Sequence, residues 1–236
     1  MTPTISCILP VYNGARYLAE AIESVATQDQ APVELIIVDD GSTDDSAAIA
    51  ERYAPWARVI RQENAGPAAA RNRALALVSG EFIAFQDADD IWVPGKLAIQ
   101  LRRFAERPEL SLCFGHLQNF WEPALQEFAD RVRDHMIAKP MVCHGPPVLL
   151  ARRAAFDIVG PYDESLRLGE DTDWFVRARE HGLHWEVLPD VLLHRRRHGL
   201  NLTASWEATR TQNLEIFKRA VARRRAAGDK GSPTHQ

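Results

Sequence analysis

FQDADDIW, from Phe85 to Trp92, follows the short apolar run Phe82-Ile83-Ala84 with three carboxylates, Asp87, Asp89 and Asp90, and a tryptophan. Phe82 to Phe85 reads as a buried strand. Acids crowded at its carboxyl end repel one another unless a cation or a ligand donor sits among them. In open α/β sheets, ligands bind outside the carboxyl ends of the strands. An Asp-x-Asp at that place points to a hard divalent cation that shares its shell with phosphate oxygens. The competing reading is a solvated acidic turn capping the next helix, a position that favours Asp. The octapeptide alone leaves both open.

Strand and helix signals alternate outward from this point. Ile5 to Leu9 and Leu35 to Val38 are apolar runs of buried-strand type, and Arg58 to Arg61 is a shorter strand around Val59 and Ile60. Between them, Leu18, Ala21, Ile22 and Val25 fall at helical spacing, and 43–52 reads as a helix with acids at its start. Pro67 to Val78 is a helix with proline in its first turn. Helix 94–105 and strand 110–114 follow. This order predicts a doubly wound, mostly parallel α/β sheet with helices on both faces.

The second half is harder to read. Residues 116–147 look irregular apart from a helix over 125–136, as binding loops and lids often do. Strand 148–150, a helix over 151–159, a helix from near Asp171 to 181, and two short strands, 185–188 and 191–194, come next. A helix over 205–223 with Leu214, Phe217 and Val221 on one face precedes a frayed tail.

Composition narrows the function classes. The 236 residues carry 28 basic and 32 acidic side chains, net −4, so no global basic field recruits nucleic acid. Cys7, Cys113 and Cys143 are odd in number and far apart, which suits free thiols in a reducing compartment rather than disulfides or zinc. No apolar stretch reaches the roughly 18–20 residues of a membrane span. The start, MTPTISCILPVYNG, enters a strand pattern at once and lacks a positive n-region, so no signal peptide is expected. A cytoplasmic protein is expected, with peripheral membrane contact left open by the basic end of the last helix.

Three further motifs accompany the acidic turn: LPVYNGARYL from Leu9 to Leu18, VDDGSTDDS from Val38 to Ser46, and NAGPAAARNRAL from Asn64 to Leu75. Together the four resemble a family-2 glycosyltransferase of the GT-A fold over roughly residues 5–203. The resemblance implies a glycosyltransferase domain at 1–203, with a nucleotide-sugar half at about 1–115 and an acceptor-binding, catalytic half at about 116–203. Residues 204–236 then form a C-terminal helical extension and tail.

The resemblance also implies roles. A carboxylate at a strand end can accept the ring N–H of a pyrimidine, so Asp39 or Asp40 would read uracil or a similar base, with Pro10, Val11 and Tyr12 lining the pocket. Arg71 would lie near base and diphosphate, where a guanidinium suits both. Asp87 and Ala88 would meet the donor, Asp87 at the ribose or in support of the metal. Asp89 would bind Mn2+ or Mg2+, with His198 completing the shell and Arg196 or Arg197 holding the diphosphate. In GEDTDW, Asp171 is the expected general base of an inverting transfer, and Glu170 orients it or the acceptor. Without the family, Ser42, Asp44 and Asp45 read as helix caps, Asp90 as the cap of the next helix, Trp92 as packing, and GEDTD as a helix start.

The implied partners are a nucleotide-sugar donor, UDP-linked by expectation, and an acceptor that is a glycan, a lipid-linked sugar, a peptide or a small molecule. Two other classes compete. A nucleotide-sugar-binding protein without turnover has no use for Asp171. A sugar-phosphate nucleotidyltransferase would carry a glycine- and lysine-rich phosphate loop, which LPVYNGARYL lacks.

Overall fold

The computed structural model describes residues 3–166, 168–199, 215–223 and 225. Strands β1 (Ile5–Val11), β2 (Glu34–Asp39), β3 (Ala57–Arg61) and β4 (Phe82–Phe85) pair in parallel in the order β3-β2-β1-β4. Helices α1 (Leu18–Ala26), α2 (Ser46–Glu51) and α3 (Pro67–Leu75) make the crossovers. β1, β2 and β4 are buried along nearly their whole length. That is why they appear in sequence as unbroken apolar runs rather than alternating ones. β3 lies at the sheet edge and is half-exposed, which accommodates Arg58 and Arg61.

The second half extends the sheet to nine strands. These are β5 (Ile91–Trp92), β6 (Leu112–Trp121), β7 (Met141–Cys143), β8 (Leu150–Arg152) and β9 (Trp185–Arg197). β8 lies antiparallel between β4 and β6, β9 runs parallel to β6, and β5 closes the far edge antiparallel to β9. Helices α4 (Lys96–Glu106), α6 (Arg153–Val159) and α7 (Glu170–Glu180) complete this half, with the short α5 (Gln126–Arg131) on the connection from β6 to β7. Among the described residues no helix is long and apolar enough to cross a bilayer.

Several expectations change here. The stretch read as irregular from 116 begins as strand: β6 continues to Trp121, burying alternate residues. The helix expected over 125–136 is a single 3-10 turn, Pro123–Leu125, followed by α5. The two short strands expected around Pro189-Asp190 are one, because β9 absorbs the proline at register shifts opposite Phe114, His116 and Leu117. Gly115 sits at that irregularity, and a Cβ there would lie 2.4 Å from Leu192 Cδ1. The C-terminal helix is described over 215–223 and turns Ile216 and Ala220 inward, leaving Phe217 and Val221 exposed. Ion pairs from Arg219 to Asp163 (3.2 Å) and from Arg223 to Glu180 (2.9 Å) hold it that way round. Residues 200–214, which include the rest of that predicted helix and the 203/204 boundary, lie outside the described residues, as do 226–236.

A layer of buried polar side chains lies behind the acidic turn. Gln86 donates to the Asp90 carbonyl at 2.6 Å, and the Trp92 N–H donates to Ser24 Oγ at 3.1 Å. Trp92 is buried and its indole N–H donates to the Pro147 carbonyl. Lys96 is fully buried with its ammonium 4.3 Å from the Trp92 ring centroid and 2.8 Å from Gln100 Oε1. Burial lowers this lysine's pKa to about 7.

Candidate active site

β1 and β2 end side by side, with Val11 opposite Asp39, so Pro10, Val11, Tyr12 and Asp39 meet at the carboxyl edge of the parallel sheet. Tyr12 is half-exposed at the rim. Asp39 is fully buried: Oδ1 accepts the Ser42 N–H at 3.1 Å, while Oδ2 lies 3.1 Å from Arg61 Nε without an aligned hydrogen bond. Asp40 is placed differently. Its carboxylate accepts from Gln62 Nε2 (2.7 Å), the Ala65 N–H (2.9 Å) and the Gly66 N–H (2.8 Å). It fastens the loop that leads into α3, where Gly66 at φ 90° makes the turn.

Asp45 is the N-cap residue of α2 and Asp44 Oδ1 accepts the Ser46 N–H at 3.0 Å, but the polar residues after Gly41 also reach the neighbouring loop. Ser42 Oγ accepts the Asn13 N–H, Ser46 Oγ accepts the Gly14 N–H, and Asp44 Oδ2 accepts the Ala15 N–H, all at 2.9–3.0 Å. Asn13, at φ 50°, returns a bond by accepting the Thr43 N–H at 2.8 Å. The loops after β1 and β2 are stitched into one piece beneath Tyr12.

Arg71 is the buried centre of the cleft. Nη1 donates to Glu170 Oε1 at 2.5 Å and Nη2 to Asp87 Oδ1 at 3.1 Å. Burial works against its charge, but Asp87 and Glu170 outweigh that and raise its pKa further. Both acids are pushed upward by burial, and Arg71 restrains the rise. α7 starts at this point, with Gly169 in the left-handed region at φ 75°. Asp171, next to Glu170, is half-exposed and accepts local bonds from the Thr172 N–H at 2.7 Å and the Thr172 hydroxyl at 3.4 Å. Asp173 is buried and pairs with Arg177 at 2.8 Å, a structural role.

The last element is the end of β9. Pairing of Ile91 with His194 and Trp92 with Leu193 lays the basic run beside the acidic turn. Asp90 accepts the Arg196 N–H at 2.9 Å, so it ties the turn to β9, whereas α4 starts from Gly95. Burial, then Asp89 and Asp87, hold Asp90 well above the ordinary carboxylate range. His198 Nε2 lies 3.0 Å from Asp89 Oδ2. Arg196 packs between the rings of Tyr17 (4.7 Å) and Phe120 (4.6 Å), pairs with Glu20, and donates to the Asp89 carbonyl. Burial and Arg195 lower the Arg197 pKa, and the Arg197 carbonyl accepts the Glu122 N–H. Arg195, not singled out in sequence, acts electrostatically on Asp87 and Asp90. Strand alternation was the available signal, since it sets Arg195 and Arg197 on the face opposite Arg196.

Among the described residues no group of three or more His, Cys, Asp or Glu forms a ready cation cage. Asp89 and His198 offer an adjacent carboxylate and imidazole. That donor set fits Mn2+ or Mg2+ if phosphate oxygens and water complete the shell.

Comparison with known proteins agrees with this architecture. The family described as "Glycosyl transferase family 2" matches residues 6–157, and the chain belongs to that family. It is 34% identical over 207 residues to succinoglycan biosynthesis protein ExoU of Rhizobium meliloti, covering 79% of this chain and 60% of that one. The chain therefore spans less than two thirds of that relative's length. S. aureus TarS in complex with UDP-GlcNAc superposes with a TM-score of 0.72 at 23% identity, covering 90% of this chain and 65% of that one. A Pyrobaculum calidifontis mannosyltransferase in complex with GDP-Man and Mn2+ gives 0.68 at 21% identity, covering 99% and 66%. These structures share the GT-A fold with this chain.

Proposed function

We propose that this chain transfers a sugar, with inversion, from a nucleoside diphosphate-sugar to an acceptor hydroxyl. The observation that carries the reading is Arg71, which joins Asp87 of the donor half to Glu170 of the acceptor half through one guanidinium. A buried cation between two acids at the carboxyl edge of a parallel sheet holds both halves of a transfer site in register. The donor half is residues 1–115 and the acceptor half 116–203.

Asp39, at the carboxyl edge where β1 and β2 end together, receives the base N–H. UDP is the favoured donor nucleotide, because a carboxylate acceptor matches the N3–H of uracil. Asp87 and Ala88 line the donor, and Arg195 and Arg197 supply positive charge near the diphosphate. Asp89 and His198 would hold Mn2+ or Mg2+, whose charge would stabilise the departing nucleoside diphosphate. Asp171 accepts the acceptor's proton as its oxygen bonds to the anomeric carbon, and the bond to the phosphate oxygen breaks with its electron pair leaving on the nucleoside diphosphate. Glu170, fixed by Arg71, orients this step. A cytoplasmic location, where free thiols such as Cys7 and Cys113 persist, suits the reading.

The test is release of nucleoside diphosphate from UDP- and GDP-sugars with Mn2+, with and without an acceptor panel. Asp89→Asn and Asp171→Asn should each slow transfer by about a hundredfold or more. Wild-type rates in both variants on a productive acceptor would end the proposal.

A further inference from the structure

Tyr17, in the ARYL end of the first motif, has no role in the transfer proposed above, yet its ring meets His198. Tyr17 lies just before α1, and its ring centroid is 5.0 Å from that of His198 at an interplanar angle of 40°. Its hydroxyl donates to Glu122, which is buried at the end of β6 and also pairs with Arg16 at 3.0 Å. Arg196 covers the same ring at 4.7 Å and pairs with Glu20 of α1. One aromatic ring thus joins the start of α1, the end of β6 and the end of β9.

We propose that Tyr17 is a positioning residue: its ring, fixed by Glu122 and Arg196, holds the imidazole of His198 toward Asp89. The inference rests on the metal reading above. The Asp89 carboxylate, 3.0 Å away, engages one nitrogen of the imidazole, and the Tyr17 ring lies against its face. Partners that orient a ligand from outside typically change metal affinity about 10–100-fold when removed. Phenylalanine keeps the surface and loses only the hydroxyl bond, whereas leucine keeps bulk without a flat face.

The experiment is Mn2+ binding to the whole chain in the presence of UDP, followed by electron paramagnetic resonance, with thermal unfolding as a check on folding. Tyr17→Leu is expected to weaken Mn2+ binding about tenfold or more, and Tyr17→Phe by no more than about threefold. Wild-type affinity in Tyr17→Leu, or equal losses in the two variants, would overturn the proposal. His198→Ala separates the two readings. If it too binds Mn2+ as the wild type does, the metal assignment fails and the positioning role falls with it. If it loses Mn2+ while Tyr17→Leu does not, only the positioning role is wrong. Should Tyr17→Leu unfold, Glu122→Ala replaces it, since it removes the acceptor of the Tyr17 hydroxyl: the proposal requires Mn2+ binding to weaken at least as much as in Tyr17→Phe, and wild-type affinity would overturn it.

Discussion

The backbone N–H of Arg196 donates to Oδ1 of Asp90 at 2.9 Å across 106 residues of sequence. This bond turns the third acid of FQDADDIW from a repelling neighbour into a fastener between the acidic turn and the basic strand. An amide oxygen can accept the same bond without a buried charge. Asp90→Asn is therefore expected to leave thermal stability unchanged or raised. Asp90→Ala, which strands a buried N–H, should cost roughly 1–3 kcal/mol. Thermal unfolding of the pair checks the contrast, and a large loss in the asparagine variant would contradict it.

Asp39 and Asp40 are adjacent in sequence but should fail differently. Asp40→Asn puts an NH2 where the carboxylate accepts backbone N–H groups, so it should destabilise the fold by about 1–3 kcal/mol. Asp39→Asn should instead weaken UDP binding by about tenfold, the scale of one charged hydrogen bond. Calorimetry with UDP and with N3-methyl-UDP gives the readout: the methylated ligand should lose affinity for the wild type and little for Asp39→Asn.

On α7 the comparison is between Asp171 and Asp173. Asp171→Asn is expected to lower kcat by about 10²–10⁴ while UDP affinity holds. Asp173→Asn weakens the pairs with Arg177 and Arg223 and should appear chiefly in the denaturation midpoint. Steady-state kinetics beside urea titrations of both variants would reveal any exchange of roles.

Lys96 makes stability depend on alkaline pH. The unfolded chain keeps this proton up to about 10.5, whereas the buried ammonium gives it up near 7. Between those values the unfolded state binds more protons, so this contribution grows as pH rises and is lost as pH falls back toward 7. The wild type should gain on the order of 2 kcal/mol between pH 7 and about pH 9 relative to Lys96→Met. Urea denaturation at both pH values measures the difference, and parallel curves would refute the assignment.

The parallel half was legible because its strands are buried on both faces and speak through composition alone. Ile91–Trp92 was not: two residues carry no period, and only their pairing with Leu193 and His194 makes them a strand. The same limit hid the distinction between Asp39 and Asp40, which depends on where the loop at 62–66 turns back. The expectations for Asp89, Asp171 and His198 come from motif resemblance, while Arg195 needed the strand's facing. For the last helix, apolar spacing pointed to Phe217 and Val221, but the ion pairs of Arg219 and Arg223 set the opposite roll.

The excursion from Pro123 to Ala138 buries no side chain in its helical turns, although it joins two paired strands. Exposed positions of this kind usually change stability by less than about 0.5 kcal/mol when substituted. The stitched loops around Asp40 and Asn13 have no such freedom. Evolvability is therefore unevenly distributed in this chain: on the proposed reading, the donor side is conservative by construction, and acceptor preference can drift along a stretch where mutation is nearly neutral for folding.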